Sequence, residues 1–552
     1  MENPKSKDSL ERQESEVPPG STLDRGMSAE KRSNDRPEED GTLNSGDPEF
    51  IPEEAIILLQ GGGGRPKGGP TEERRESDQP IIVRDGRADY MAKELAQRHR
   101  GHSTHAGERI TPTTSVSRTL SALRAKAEED PEHRFRSLAR LLDHELLTEA
   151  FHHLKRKASP GIDGVTHASY GENLERNLVE LEKRLKQERY RARSVKRQWI
   201  PKSGGRKLRP LGIPVLEDKI VQQAVKMILE SIWEADFYDE SVGYRAGKGA
   251  RQSSLDLRET LNVGNYRWIV EADIRGFFDH MDHDWLVRML EERIADRSLI
   301  ALIIKWLKAG VMEEGRVEHP ATGTPQGGVI SPILANIYLH FVQDHWIKRV
   351  VAPRSKGGVH FMRYADDSIV CFENESDARA YLQAFPKRLE KFSLQLAEEK
   401  SSLVKFERWN PEQSGRFTFL GFDFHWARSR KHKHYAYVKR VTNEEKFRAS
   451  LLAFKEWIKR SRSVKLPDLL VVLRRKLRGY WNYYGVRGNS RMLAKYDLKA
   501  KQILFKWLNR RSQRRSMTWT QFGERLKHWD LPLPRIVEKP VRVNLPSRSK
   551  PA

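Results

Sequence analysis

The 552-residue chain contains a single cysteine, Cys371. An intramolecular disulfide is therefore excluded, and so is any zinc module built on cysteine pairs. Long apolar runs are missing as well, since no stretch approaches the roughly 20 residues that a membrane-spanning helix needs. Residues 1–16 have no apolar segment of the secretory kind, and they carry too many acidic groups for an organellar transit peptide. These absences predict a protein of a bacterial-type cytoplasm with no membrane association. No internal repeat is visible. The apolar neighbours of Cys371 (Ile369, Val370 and Phe372) predict a buried strand thiol without a chemical role.

What the chain does have is charge. Charged residues make up 32% against 37% hydrophobic, and the formal net charge is +24. That balance calls for a polyanionic partner, and with no membrane signal nucleic acid is the reading to pursue. The charge is unevenly placed. Residues 1–50 hold 7 Lys/Arg against 13 Asp/Glu, whereas residues 426–552 hold 34 against 8, a local excess of +26. Interleaved with those cations are Trp457, Tyr480, Trp481, Tyr483, Tyr484, Trp507, Trp519 and Trp529. Cations for phosphates beside aromatic faces for bases suit a nucleic-acid surface. Trp457 and Trp507 fall inside apolar helical patterns and read as helix core.

Length alone suggests two to four units. The first ~130 residues, rich in Glu, Ser, Pro, Gly and Arg, read as an unfolded extension. Its apolar patch at residues 56–59 is either a docking segment or part of a solvated tail. Beyond it, Leu174, Leu178, Leu181 and Leu185 recur at helical spacing, and a second helix is expected from Asp218 to about Trp233. Strands are expected at Trp268 to Asp273, Phe361 to Tyr364 and Ser368 to Phe372.

Four motifs carry chemistry. In Tyr364-Ala365-Asp366-Asp367, two adjacent carboxylates sit at the tip of a tight hairpin, where they repel each other and invite a divalent cation. Asp pairs in turns are also common without any such role. The second motif, Trp268-Ile269-Val270-Glu271-Ala272-Asp273, is a strand ending on an Asp, which either meets the Asp pair or caps the following helix. Three carboxylates can hold two Mg²⁺ ions roughly 3.5–4 Å apart, the arrangement that activates a 3′-hydroxyl and holds a triphosphate. The third motif, Gly323-Thr324-Pro325-Gln326-Gly327-Gly328, precedes a helical run from Ile333 to Leu339 and lets backbone approach a ligand closely. The fourth, residues 200–214, reads as two extended segments around a Gly turn with Lys202, Arg206, Lys207 and Arg209. It is either a clamp on a triphosphate or a solvated basic hairpin.

In this order the four motifs resemble the reverse transcriptase domain of bacterial group II intron-encoded proteins, from about Lys155 to Asn482. Further matches are Ser159-Pro160-Gly161-Ile162-Asp163-Gly164-Val165, Gly243-Tyr244-Arg245, Ala397-Glu398-Glu399-Lys400 and Phe419-Leu420-Gly421-Phe422. The resemblance implies an α+β, right-hand polymerase. Its parts would be a disordered extension (1–130), fingers (131–260), a palm with the Asp pair (261–425), a helical thumb or maturase domain (426–515) and a basic tail (516–552). By the same resemblance Asp273, Asp366 and Asp367 are the catalytic triad, and Ile274 joins them in the metal site. Lys202 and Arg209 would grip the nucleotide, Phe278 would exclude a 2′-hydroxyl, and Gln326 would lie near nucleotide and template. Phe419, Leu420 and Gly421 would support the primer.

Leu477-Arg478-Gly479-Tyr480-Trp481-Asn482-Tyr483-Tyr484 resembles the thumb, or maturase, region, which makes Arg474, Arg475 and Arg478 candidates for RNA contact. RNA template, DNA primer and intron RNA are the implied partners. A Cys-dependent endonuclease is not expected, and Lys431-His432-Lys433-His434 reads as a basic loop. Two rivals to this reading are a domesticated relative in phage defence and an RNA-binding splicing cofactor whose polymerase has decayed.

Overall fold

The structure is a computed structural model that describes residues 114–201, 208–313, 316–318, 322–323, 327–429, 435–511 and 516–538. Lys202, Gln326 and the Lys431 to His434 cluster lie outside the described residues, as does most of the 1–130 stretch. No described helix is long and apolar enough to cross a membrane.

The chain folds as mixed helix and sheet. The first described helix, Ser115–Glu129, begins inside the stretch that composition assigned to an unfolded extension. Its own apolar content is thin, and packing from afar compensates. Val116, Leu120 and Leu123 lean on the main core, while Ala127 is fully buried in it. Arg293, distant in sequence, donates to the carbonyls of Ala127 and Asp130 and satisfies the helix C-terminus. The expected leucine helix spans Leu174–Lys186 and buries Leu178 and Leu181. The next expected helix, Leu216–Trp233, is buried on nearly every face.

Strands β1 (Val195–Pro201) and β2 (Leu208–Ile213) pair antiparallel around residues outside the description. β1 also pairs parallel with β4 (Val311–Glu313), which in turn pairs with β5 (Arg316–Glu318). Strands from both sides of the expected residue-260 boundary therefore share one sheet, because hydrogen-bonding edges close across sequence distance.

The central sheet runs β6-β7-β3-β8, all antiparallel, from β3 (Trp268–Ala272), β6 (Val359–Tyr364), β7 (Asp367–Phe372) and β8 (Ser402–Lys405). Cys371 on β7 is buried, and burial pushes its thiol up, in keeping with an inert strand residue. A third sheet orders β11-β10-β9, from β9 (Phe417–Phe419), β10 (Phe422–Arg428) and β11 (Ala436–Thr442). The expected boundary at 425/426 falls inside β10. Glu271 of β3 ties this sheet to the central one by accepting from Thr418 N at 2.8 Å and Ser402 Oγ at 2.6 Å.

Helices Glu444–Arg460, Leu466–Tyr484, Ser490–Asn509 and Trp519–His528 form a separate core around Phe454, Leu473, Trp481, Leu504 and Phe522. The last of these corrects the expectation of a basic tail from residue 516. Phe522 and Trp529 are buried in that core, and Glu538 pairs with the buried Arg440 at 2.5 Å. Aromatic burial outweighs the high local charge there.

Candidate active site

The expected hairpin forms from two short apolar runs, Phe361-Met362 and Ile369 to Phe372, which are buried as continuous stretches. β6 and β7 pair from Val359↔Phe372 to Tyr364↔Asp367, leaving Ala365 and Asp366 at the tip. Ala365 sits in the left-handed region at φ 57°, a cost of about 1–2 kcal/mol for a residue with a Cβ. Gly243 packs directly beneath the turn. A Cβ on that glycine would lie 2.2 Å from the Ala365 nitrogen, so only glycine admits the approach.

Register brings the third carboxylate to the same sheet end. β3 and β7 are antiparallel with Ala272 opposite Ser368, so Asp273 and Asp367 are the next residues along that ladder. The electrostatics agree with this convergence. Burial raises Asp366 above the ordinary carboxylate range, Asp273 adds to the rise, and Arg209 and Lys400 oppose it. Asp367 keeps an exposed side, yet the surrounding protein displaces enough water to raise it, and Asp366, Asp273 and Glu271 carry it up to about 7. Lys446 pulls the other way.

Asp273 holds a cation already. Lys400 Nζ stands 2.5 Å from its Oδ2, and the bond raises the lysine above its usual value. Among the described residues no group of three His, Cys, Asp or Glu side chains is already arranged to hold a metal ion. The donor set nonetheless fits divalent cations. Three mutually repelling carboxylates meet at one edge, and an ammonium occupies an oxygen of one of them. Ile274, expected beside them, is buried and bridges Leu396.

The other expected residues fall into three groups. Arg209 is exposed on β2 and lies within electrostatic reach of Asp366 and Tyr244. Phe278 is half-buried, edge-on to Phe277 with 5.2 Å between ring centroids. Gly323 abuts the Phe278 carbonyl so closely that a Cβ there would lie 2.8 Å from it, which brings one end of the Gly-rich loop against this residue. The other end is held by Gln222, whose Oε1 accepts from Val329 N.

Two expectations need correction. Phe419 is fully buried, so its ring supports the β9–β10 turn from within and does not face a primer. Leu420 and Gly421 form the turn itself, both at positive φ, with Tyr483 Oη donating to the Leu420 carbonyl. Arg474 is not free for phosphate either. Its Nε and Nη2 donate to the carbonyls of Trp529 and Asp530, closing the end of the Trp519–His528 helix. Arg475 and Arg478 are exposed.

Sequence reasoning passed over Lys400, Lys446, Tyr244 and Arg363. Lys400 and Tyr244 lay inside quoted motifs, so a signal existed. Lys446 reaches the site only through tertiary packing, and Arg363, though inside the expected Phe361 to Tyr364 strand, meets partners distant in sequence only in the folded chain.

Comparison with known proteins gives two family matches. Residues 200–424 match the family described as reverse transcriptase (RNA-dependent DNA polymerase). Residues 447–526 match the group II intron maturase-specific domain. The chain is 26% identical over 464 residues to the group II intron-encoded protein LtrA of Lactococcus lactis subsp. cremoris, covering 70% of this chain and 76% of that one. It is 35% identical over 248 residues to protein YkfC of Escherichia coli K12, covering 44% and 65%. Nuclear intron maturase 1 of Arabidopsis thaliana, a mitochondrial protein, is 32% identical over 95 residues, 17% of this chain and 13% of that one.

Proposed function

The chain carries a reverse transcriptase domain followed by a group II intron maturase-specific domain, and we propose that it extends a primer on an RNA template at a metal site formed by Asp273, Asp366 and Asp367. It is an RNA-directed DNA polymerase of the intron-encoded kind. In this reading the β1–β2 sheet and the helices around it are the fingers, and the β6-β7-β3-β8 sheet is the palm. The helices from Glu444 onward are the thumb, and they also grip intron RNA to assist splicing.

The observation that carries the reading is the convergence of three carboxylates at one sheet edge, where Asp273 acts on both Asp366 and Asp367 and Asp366 acts on Asp367. Two Mg²⁺ ions held by these carboxylates, with Ile274 alongside, would supply Lewis-acid activation of the primer 3′-hydroxyl and neutralise the triphosphate. The chain's own groups do the rest. Lys400 holds Asp273 in place while no divalent ion competes for it. Arg209, exposed beside Asp366, presents a fork of N–H donors to phosphate oxygens. Phe278 offers an uncharged ring edge that bars one extra oxygen on the sugar. Lys202 and Gln326 complete the nucleotide contacts, and Leu420 with Gly421 supports the primer. The exposed cations of the Leu466–Tyr484 helix attract RNA phosphates.

The test is Asp366→Asn, which removes one anionic ligand while keeping size and shape. Primer extension on an RNA template should fall by at least about 10²-fold, a loss of roughly 3 kcal/mol of transition-state stabilisation. Binding of primer–template, measured separately, should hold. Extension at the parent rate would sink the assignment.

A further inference from the structure

Arg363 lies two residues before the turn that carries Asp366, and it is wholly buried. A guanidinium has five N–H donors, and each of them here reaches an oxygen. Nε and Nη2 form a fork on the carboxylate of Asp344, at 2.7 and 2.6 Å. Nη2 also donates to Ser241 Oγ at 2.5 Å. Nη1 donates to Asn336 Oδ1 at 3.1 Å and to the carbonyl of Ala365 at 3.0 Å. That last acceptor belongs to the left-handed residue at the hairpin tip.

The partners come from three separate parts of the chain. Ser241 precedes Gly243, and the backbone of this segment pairs with Arg363. Arg363 N donates to Glu240 O at 2.9 Å, and Val242 N donates to Arg363 O at 2.8 Å. Asn336 lies on the Ser331–Leu339 helix that follows the Gly-rich loop, and its Nδ2 donates to the Gly243 carbonyl at 2.7 Å. Asp344 closes the π-helical turn His340–Asp344 that continues this helix. In a regular α-helix, eight residues would leave Asp344 about 80° around the axis from Asn336. The wider π turn winds less per residue, so both side chains meet the same guanidinium.

A buried ion pair is weak evidence for stability, because apolar residues of equal volume commonly serve a core as well or better. What apolar residues cannot do is hold a carbonyl at a fixed point. We propose that Arg363, anchored by Asp344, Asn336 and Ser241, is a positioning residue of the polymerase site. It pins the Ala365 carbonyl, and with it the turn from which Asp366 and Asp367 project against their mutual repulsion. The inference rests on the reading that these two carboxylates hold the divalent ions.

Three variants test it: Arg363→Lys, the apolar pair Arg363→Met with Asp344→Leu, and Ser241→Ala, which leaves the ion pair intact. Each is compared with the parent in four ways. These are thermal unfolding, primer–template affinity, Mn²⁺ affinity by electron paramagnetic resonance without nucleotide, and extension rate per titrated active site. Hydrogen exchange of the amides at residues 365–367 is followed alongside.

In the first two variants Mn²⁺ binding should weaken at least 5-fold and the rate per active site fall at least 10-fold. Primer–template affinity should stay within 2-fold, and the turn amides should exchange faster. Ser241→Ala should shift the same quantities in the same direction by less. If both Arg363 variants fail to fold, Ser241→Ala alone decides. A folded variant with parental Mn²⁺ affinity and parental rate per active site overturns the proposal. Should Asp366→Asn still extend primers, the metal-site reading has failed; should it be inactive while the Arg363 variants keep parental Mn²⁺ affinity and parental rate per active site, only the positioning role has failed.

Discussion

Phe278 and Gly243 show how much a single side chain, or its absence, can decide at this site. The Phe278 ring packs edge-on against Phe277, and the Gly323 backbone abuts the Phe278 carbonyl, so the segment that carries the ring is held in place. Phe278→Ala should raise ribonucleotide incorporation relative to deoxynucleotide incorporation by at least about 10-fold, while deoxynucleotide addition stays measurable. Paired single-nucleotide extension assays on one template give the ratio, and an unchanged ratio would reduce Phe278 to a core residue. At Gly243 the sterics are backbone against backbone, so neither wall can swing aside. Gly243→Ala should lower the unfolding free energy by about 1–3 kcal/mol, read from denaturant midpoints, and should depress extension more than it depresses template binding.

At the scale of elements, the Leu466–Tyr484 helix divides its basic residues between two tasks. Leu469, Leu473, Leu477 and Trp481 face the helical core, Arg474 caps the end of a neighbouring helix, and Arg475 and Arg478 face solvent. Replacing Arg475 and Arg478 with Gln should therefore reduce the salt dependence of RNA affinity by roughly 0.7–0.9 log–log units per residue, with little change in melting. Arg474→Gln should do the reverse, costing about 1–2 kcal/mol of stability and leaving the salt slope nearly as it was. Filter binding at several salt concentrations, with thermal melts on the same preparations, separates the two. Equal slopes for all variants would mean this helix face does not meet phosphate.

For the whole molecule, stability should carry the mark of His340, buried against Tyr238. Burial, then His345, Arg363 and Arg245, lowers it to about 3. Its folded pKa thus lies below the unfolded value near 6.5. Between those two values the unfolded chain binds the extra proton, so this residue's contribution falls as pH falls below about 6.5. Asp218 and Asp236, each raised to about 6, act in the opposite sense over part of that window. The clean measurement is a difference. Relative to the parent, His340→Phe should gain about 2 kcal/mol on going from pH 7 to pH 5, from paired denaturation curves. A pH-independent difference would show that His340 is not buried neutral.

The parts of this protein legible in its sequence are those set by local pattern. The hairpin around Asp366 and Asp367 and the strand before Asp273 follow from short apolar runs bounded by polar residues, and the leucine helix from its 3.6-residue period. Order along the chain sufficed to relate the four motifs to one another. Tertiary structure alone decided matters that depend on which surfaces meet. Ser115–Glu129 is a helix because Arg293 and the main core complete it, and Trp519–His528 belongs to the helical core because its aromatic residues find neighbours there. By resemblance Phe419 and Arg474 are expected to contact nucleic acid, yet one is enclosed and the other caps a helix. The grip of Arg363 on the Ala365 carbonyl joins residues 241, 336, 344, 363 and 365, and no local pattern encodes it. Propensity and periodicity act between residues a few positions apart, whereas burial and long-range hydrogen bonds are settled only when distant segments pack together.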